Sequence, residues 1–378
     1  MISWLFKYGV VIFLFNTILL SIEVTYAIGN NIFFGLMGLF LFSLIINPKQ
    51  IKNVLFHKAF SFLLIINIIN IVYFVLFHDL SDYEAVKYLM ARSIQFSILS
   101  LSIYFNYEYY KTKFLYHLVY IIFGVVLIGL LFNPHVFSGR YSGIVWNPNM
   151  FSSLVVIAFS VHFLKNEKRT RLDYIILIML LISALASGSR GSLVAILIVF
   201  LLKYGFTLRN MMYGFIALMF TFIVLSINLD TSLNRFSEQS MFSDRILQYE
   251  FAYKSIQERL FTGFGLDKYA YIDKTLAPIH LQGKIIGAHN GYLAILTQYG
   301  IVFGSIVLFL IFKISTQSFS FFKNEKGFER VYLFIVIYTL IASLYEALMT
   351  GINEFHTILF WFSLAILSYT KFIKENAS

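Results

Sequence analysis

The stretch Gly283–Leu293, GKIIGAHNGYL, marks where a long polar segment runs back into an apolar one. Residues 229–288 are mostly hydrophilic, whereas Ala294–Phe312 is an apolar run long enough to cross a bilayer. His289 and Asn290 fall on that boundary, at headgroup depth. An imidazole there can give or take a proton near neutral pH. The same pair can equally serve as the polar cap of the following helix, so both roles stand open until other helix starts are compared.

The remaining composition fits a membrane chain. Of 378 residues, 59% are hydrophobic and 13% charged, against the ~25% charged share of a soluble domain. The chain reads as an all-α integral membrane protein. It has no cysteine, which removes disulfides, thiolate nucleophiles and cysteine metal sites from consideration. The run Leu5–Ile22 lacks a small-residue cleavage site before Glu23, so it reads as a retained first span. The net charge of +10 follows membrane sidedness and does not point to nucleic acid.

About twelve spans are expected, near 3–22, 27–46, 56–77, 86–105, 114–133, 149–164, 172–187, 191–206, 211–228, 290–312, 331–349 and 355–372. Residues 1–378 then form a single polytopic domain. With a cytoplasmic start, eighteen of the 29 Lys and Arg residues fall on the inner side. Seven of the other eleven lie in the long 229–288 loop, where the positive-inside rule carries no weight. Both termini are therefore expected inside, and 229–288 outside. Within this extracytoplasmic loop, residues 243–260 place Ile246, Tyr249, Tyr253, Ile256 and Leu260 at helical spacing, which predicts an amphipathic helix lying over the bundle mouth.

Three outer segments are unusually polar: Ser138 through Asn149, the turn Ser187–Ser192, and the His289-Asn290 pair. Each leads into a span running inward, so each presents a helix N-terminus with unpaired N–H groups to the outer face. Arg140, Arg190 and Arg245 beside such termini make an anion trap suited to phosphate oxygens. Arg140 and Arg245 lie in loops, where a solvated or ion-paired arginine is common. Arg190 is held at the membrane surface by a short serine-glycine turn, where an unpartnered charge is costly. Acidic residues are nearly absent from span interiors, Glu346 late in the eleventh span being the exception, which argues against ion-coupled transport. No His or carboxylate cluster has metal-ligand spacing.

Taken in order, Arg140, Asn147-Pro148-Asn149, Ser189-Arg190-Gly191, Asp244-Arg245, Gly263-Phe264-Gly265, His289-Asn290-Gly291-Tyr292-Leu293 and Gly300 resemble the motifs of the O-antigen ligase and polymerase superfamily. The likeness covers roughly residues 130–305 in detail, with a general match in the flanking spans. It implies a membrane fold of the glycosyltransferase C type and transfer of glycan from undecaprenyl pyrophosphate to an acceptor, at the outer face of a bacterial cytoplasmic membrane. No cofactor or metal is implied. By the same likeness, Arg190 and Arg245 hold the pyrophosphate with Arg140 as a third member, and His289 orients or deprotonates the attacking hydroxyl. Asn147, Asn149, Ser189, Asn290 and Tyr292 play supporting parts. The partners implied are the lipid-linked glycan donor, a glycan acceptor, the bilayer and a chain-length regulator, with no nucleic acid. The expected activity is polymerisation of repeat units for capsule, O-antigen or exopolysaccharide, with inversion at the anomeric carbon. A ligase passing finished glycan to lipid A core is the alternative, and a lipid-linked oligosaccharide flippase the alternative of another class. The absence of an appended soluble domain favours the polymerase.

Overall fold

The computed structural model describes residues 2–136, 140–165, 168–205, 207–226, 240–268 and 287–377. In chain order these form α1 (Ile2–Leu20), α2 (Tyr26–Ile46), α3 (Pro48–Leu55), α4 (Ser61–Phe77), α5 (Tyr83–Thr112), α6 (Phe114–Phe132) and α7 (Pro148–Leu164). There follow α8 (Arg171–Ala186), α9 (Arg190–Tyr204), α10 (Leu208–Ser226), α11 (Ser240–Glu258), α12 (Gly291–Phe322), α13 (Glu329–Ala342) and α14 (Phe355–Ala377). Among the described residues the only β pairing is an isolated bridge between Ile22 and Val145. Helix is what a bilayer demands, because every backbone N–H and C=O inside hydrocarbon must be satisfied within the segment.

Among the described residues, five helical stretches are long and apolar enough to cross a membrane: Glu23–Ile46, Lys58–Phe77, Phe114–Phe132, Gly291–Phe322 and Phe355–Asn376. Trp4–Leu20 and Pro148–Leu164 are apolar but shorter. The apolar surface faces outward as well as inward, with Leu131 and Phe132 about 80% exposed on α6. In water such a surface would aggregate; against lipid it costs nothing. The chain is a multi-pass membrane protein. Helix α7 lies at the centre, buried on every side from Phe151 to His162, with Ser152, Ser153 and Ser160 letting its neighbours approach closely.

The span drawn as 86–105 continues to Thr112 past a break at Asn106, and two further spans differ in shape near the site. The run drawn as 290–312 is longer, and α12 bends at Gly300, whose φ of +67° favours glycine. The bend exists because a second backbone is packed into it. Ile301 N–H donates to Leu260 O (2.7 Å), Phe264 N–H to Thr297 O (2.8 Å) and Gly265 N–H to Gln298 O (3.1 Å). A Cβ on Gly300 would lie 2.5 Å from Phe261 O, and one on Gly263 2.4 Å from Gly300 N. The two glycines thus let the end of the α11 segment add its hydrogen bonds to carbonyls that the kink releases. Tyr73 of α4 closes the joint, its hydroxyl donating to Gln298 O (2.8 Å). Leu266 N–H donates to His78 Nε2 (3.0 Å), and His78 Nδ1 meets Asp82 Oδ2 (2.7 Å). Partial burial of Asp82 opposes its ionisation, but the Ala85 N–H and His78 outweigh it and hold the carboxyl below its usual range.

The other difference is α13, drawn from the sequence as 331–349, which stops at Ala342. Glu346 therefore does not lie in a span; it sits in the turn that follows. The chain leaves the helix because its carbonyls are needed elsewhere: Ser343 O accepts from Gly291 N–H (2.7 Å), and Leu344 O from Asn290 Nδ2 (3.0 Å) and Tyr249 O–H (2.7 Å). Further along, buried Arg92 of α5 donates to the carbonyls of Thr350 and Gly351, and Gln95 to that of Ile352.

The glycine joint gives a direct test. Gly300→Ala should lower thermal stability in detergent by roughly 1–3 kcal/mol or more, since strained backbone and a backbone clash coincide. Gly124→Ala on α6, where an added Cβ meets nothing within 4 Å, should leave it unchanged. Equal melting temperatures for the two variants would show that the joint carries no stability.

Candidate active site at three helix starts

Three helix starts converge here, each built by local chemistry. At α7, Asn147 is the N-cap, accepting from Asn149 N–H (2.8 Å), and Pro148 takes the first helical position, where its missing N–H is no loss. The preceding loop is fixed by Trp146 N–H to Ser21 O (3.0 Å) and Tyr141 N–H to Ala186 O (3.1 Å). At α9, hydroxyls tie the turn. Ser187 Oγ donates to Ala184 O (2.6 Å), and Ser192 Oγ to Ala184 O (3.1 Å) and Ser189 O (2.6 Å). Gly188, with φ +59°, reverses the chain so that Arg190 becomes the first residue of α9. At α12, Asn290 caps through its Oδ1, accepting from Tyr292 N–H (2.9 Å) and Leu293 N–H (3.0 Å), and His289 adopts φ +42°.

Between these starts lies a cleft of about 510 Å³, a usual size for a ligand site. Arg140, Asn149, Ser189, Arg190 and His289 all line it, joined by Ile246, Gln248 and Tyr249 from α11 and by Tyr338, Tyr345 and Glu346. A line of polar contacts crosses its wall. Arg140 Nη2 donates to Asn149 Oδ1 (2.5 Å), Asn149 Nδ2 to Glu346 Oε1 (3.1 Å), and Glu346 Oε2 lies 3.4 Å from His289 Nδ1. Glu346 thus stands between the histidine and the arginine arm, using one carboxylate oxygen for each. With Nδ1 turned to the carboxylate, Nε2 of His289 is the ring nitrogen left for a ligand.

Of the nine side chains expected at the site, five meet in the cleft. Asn147 and Asn290 are the caps just described. Tyr292 faces away, donating to Leu340 O (2.6 Å) and stacking on Phe312 with centroids 5.7 Å apart. The backbone of Arg245 belongs to α11, but its side chain lies outside the described residues, as does that of Asp244. The sequence reading missed Tyr338, Tyr345 and the central place of Glu346. The signal for Glu346 was present: an acidic residue in an otherwise apolar stretch. Gly191 is what opens the cleft beside Arg190, since a Cβ there would lie 3.0 Å from Tyr345 Oη.

Residues 175–309 match the family model described as O-antigen ligase. Over these residues the chain is similar to the O-antigen ligase and polymerase superfamily. The matched segment holds Arg190, the α11 segment, His289 and the Gly300 kink; Arg140, Asn149 and Glu346 lie outside it. No curated protein sequence matches the chain. The family includes ligases and polymerases, which supports glycosyl transfer as the general activity and lipid-linked glycans as the substrates.

The polar line is testable as a unit. Asn149→Ala and Glu346→Gln, combined in a double-mutant cycle on thermal unfolding, should show a coupling of about 0.5–3 kcal/mol. Strict additivity would mean that the two side chains act separately.

Proposed function

We propose that the chain polymerises glycan repeat units carried on undecaprenyl pyrophosphate, at the outer face of a bacterial cytoplasmic membrane crossed about twelve times. The observation that carries this reading is the meeting of Arg190, Arg140 and His289 in one cleft at three helix starts. Arginines and helix N-termini favour a diphosphate, whose charge grows as it leaves. In the step, the acceptor hydroxyl oxygen attacks the anomeric carbon from the side opposite the diphosphate. A new glycosidic C–O bond forms as the old C–O bond to phosphate breaks, with inversion. The hydroxyl proton passes to His289 Nε2, and lipid diphosphate departs against Arg190, with Arg245 as a second anion contact. Glu346 at Nδ1 steadies the imidazole and balances its charge while it holds the proton. Asn149 ties that carboxylate to Arg140, so donor and base sides of the cleft are set together.

The family model's own description, O-antigen ligase, favours a second reading, in which the same step delivers finished glycan to a different acceptor. The two differ only in what enters beside His289. Supplying the purified protein with lipid-linked repeat units alone separates them: a polymerase lengthens them, whereas a ligase needs its separate acceptor.

The roles of Arg190 and His289 can be separated. Arg190→Lys keeps charge but loses the planar fork, and it should cost about 10²–10³ in transfer rate. His289→Ala should cost about 10²–10⁴. Direct binding measurements should show lipid diphosphate held poorly by Arg190→Ala and normally by His289→Ala; the opposite pattern would exchange the two assignments. Sidedness has its own check. In this cysteine-free chain, an impermeant thiol reagent on intact cells should label a cysteine placed at Ser240 and spare one at Lys168. Labelling of position 168 alone would put the cleft on the inner face.

A further inference from the structure

Helix α9 has one face with two ends of opposite character. Arg190 and Val194 line the outer cleft. Leu197 and Leu201 follow on the same face at helical spacing, and they line a second cavity of about 380 Å³. The axial distance from Arg190 to Leu201 is roughly 16 Å at the α-helical rise. The opposite wall is made by Met211, Met212, Phe215 and Ile216 of α10, each at least half exposed. Gly214 lets the two helices meet in this shape, because a Cβ there would lie 2.5 Å from Leu197 Cδ1.

On the transfer reading above, we infer that this groove holds the isoprenoid chain of the lipid diphosphate whose head lies in the cleft. Continuity selects this occupant over ordinary bilayer lipid. The apolar wall starts one turn below Val194, on the helix face that opens with Arg190, so one molecule with an anionic head and a long apolar chain covers both. The paired methionines offer flexible, polarisable contacts that follow a methyl-branched chain. Leaving the bilayer for the groove gains packing and no hydrophobic transfer, since both surroundings are apolar. The groove should therefore orient the donor more than it tightens binding, with an effect near tenfold.

The probe is undecaprenyl monophosphate in phosphatidylcholine vesicles holding the purified full chain. A photoreactive p-benzoyl-phenylalanine is placed at Met212 or Phe215, with Ile178 on the exposed face of α8 as the control. After irradiation, mass spectrometry should find isoprenoid adducts at 212 and 215 several-fold above the control, falling to the control level when Arg190→Ala is added. Adducts in proportion to bulk lipid at all three positions would overturn the assignment. Cross-linking needs no transfer, so an active chain without selective adducts rejects the groove alone. Selective adducts on a chain that transfers nothing reject the transfer reading and leave the groove standing. A kinetic arm is independent of the photochemistry. Met212→Trp with Phe215→Trp should raise KM about tenfold for an undecaprenyl donor and leave a farnesyl donor unaffected. An equal change for both donors would refute a chain-specific site.

Discussion

Helix ends beside hydrocarbon leave backbone N–H groups that must find partners, and this constraint shapes the end of the molecule that holds the cleft. Three helices begin at one mouth. Side-chain caps at Asn147 and Asn290 and the serine hydroxyls of 187–192 meet part of the demand. The rest is met by carbonyls taken from other elements. Ser343 O, which serves Gly291, would be spent inside α13 if that helix ran on, as its apolar sequence would allow. Ending α13 at Ala342 frees that carbonyl and sets Glu346 beside His289 and Asn149. The same economy produces the Gly300 kink, whose released groups are taken up by the segment following α11.

These exchanges explain what could be read from the sequence. Apolar runs separated by polar connections located the helices, because bilayer thickness fixes their length and hydrophobicity. The bend at Gly300 and the early end of α13 could not be read in this way. Both depend on which distant backbone takes up the hydrogen bonds, and the apolar pattern continues through each. A helix before the His-Asn motif was legible from its spacing, and its Ile246 and Tyr249 line the cleft, but its buried face is Phe251, Ala252 and Ile256, with Ile246 and Tyr253 of the expected stripe exposed.

At the site, charged and amide residues stood out against an apolar background, which is why Arg140, Asn149, Arg190 and His289 could be singled out before their convergence was seen. Asn147, Asn290 and Tyr292 share the same short motifs but serve helix starts and packing. Residue type alone does not separate a cap from a ligand-facing group, because both are polar and both sit at a helix end. Tyr338 and Tyr345 gave no signal at all. In a chain with 25 tyrosines and 43 phenylalanines, an aromatic near the interface is ordinary.

The grip of α5 on the turn beneath Glu346 has a consequence for descent with variation. Arg92 and Gln95 hold the 350–352 segment through its main-chain carbonyls, not through its side chains. A backbone carbonyl is the same whatever residue bears it. The hold itself does not depend on which side chains stand at 350 and 352, which packing constrains separately, but it does depend on Arg92, 254 positions upstream of Glu346. In an alignment, residues that covary with Arg92 should be found at Tyr88 and Phe96, which its guanidinium also touches, and not along 350–352.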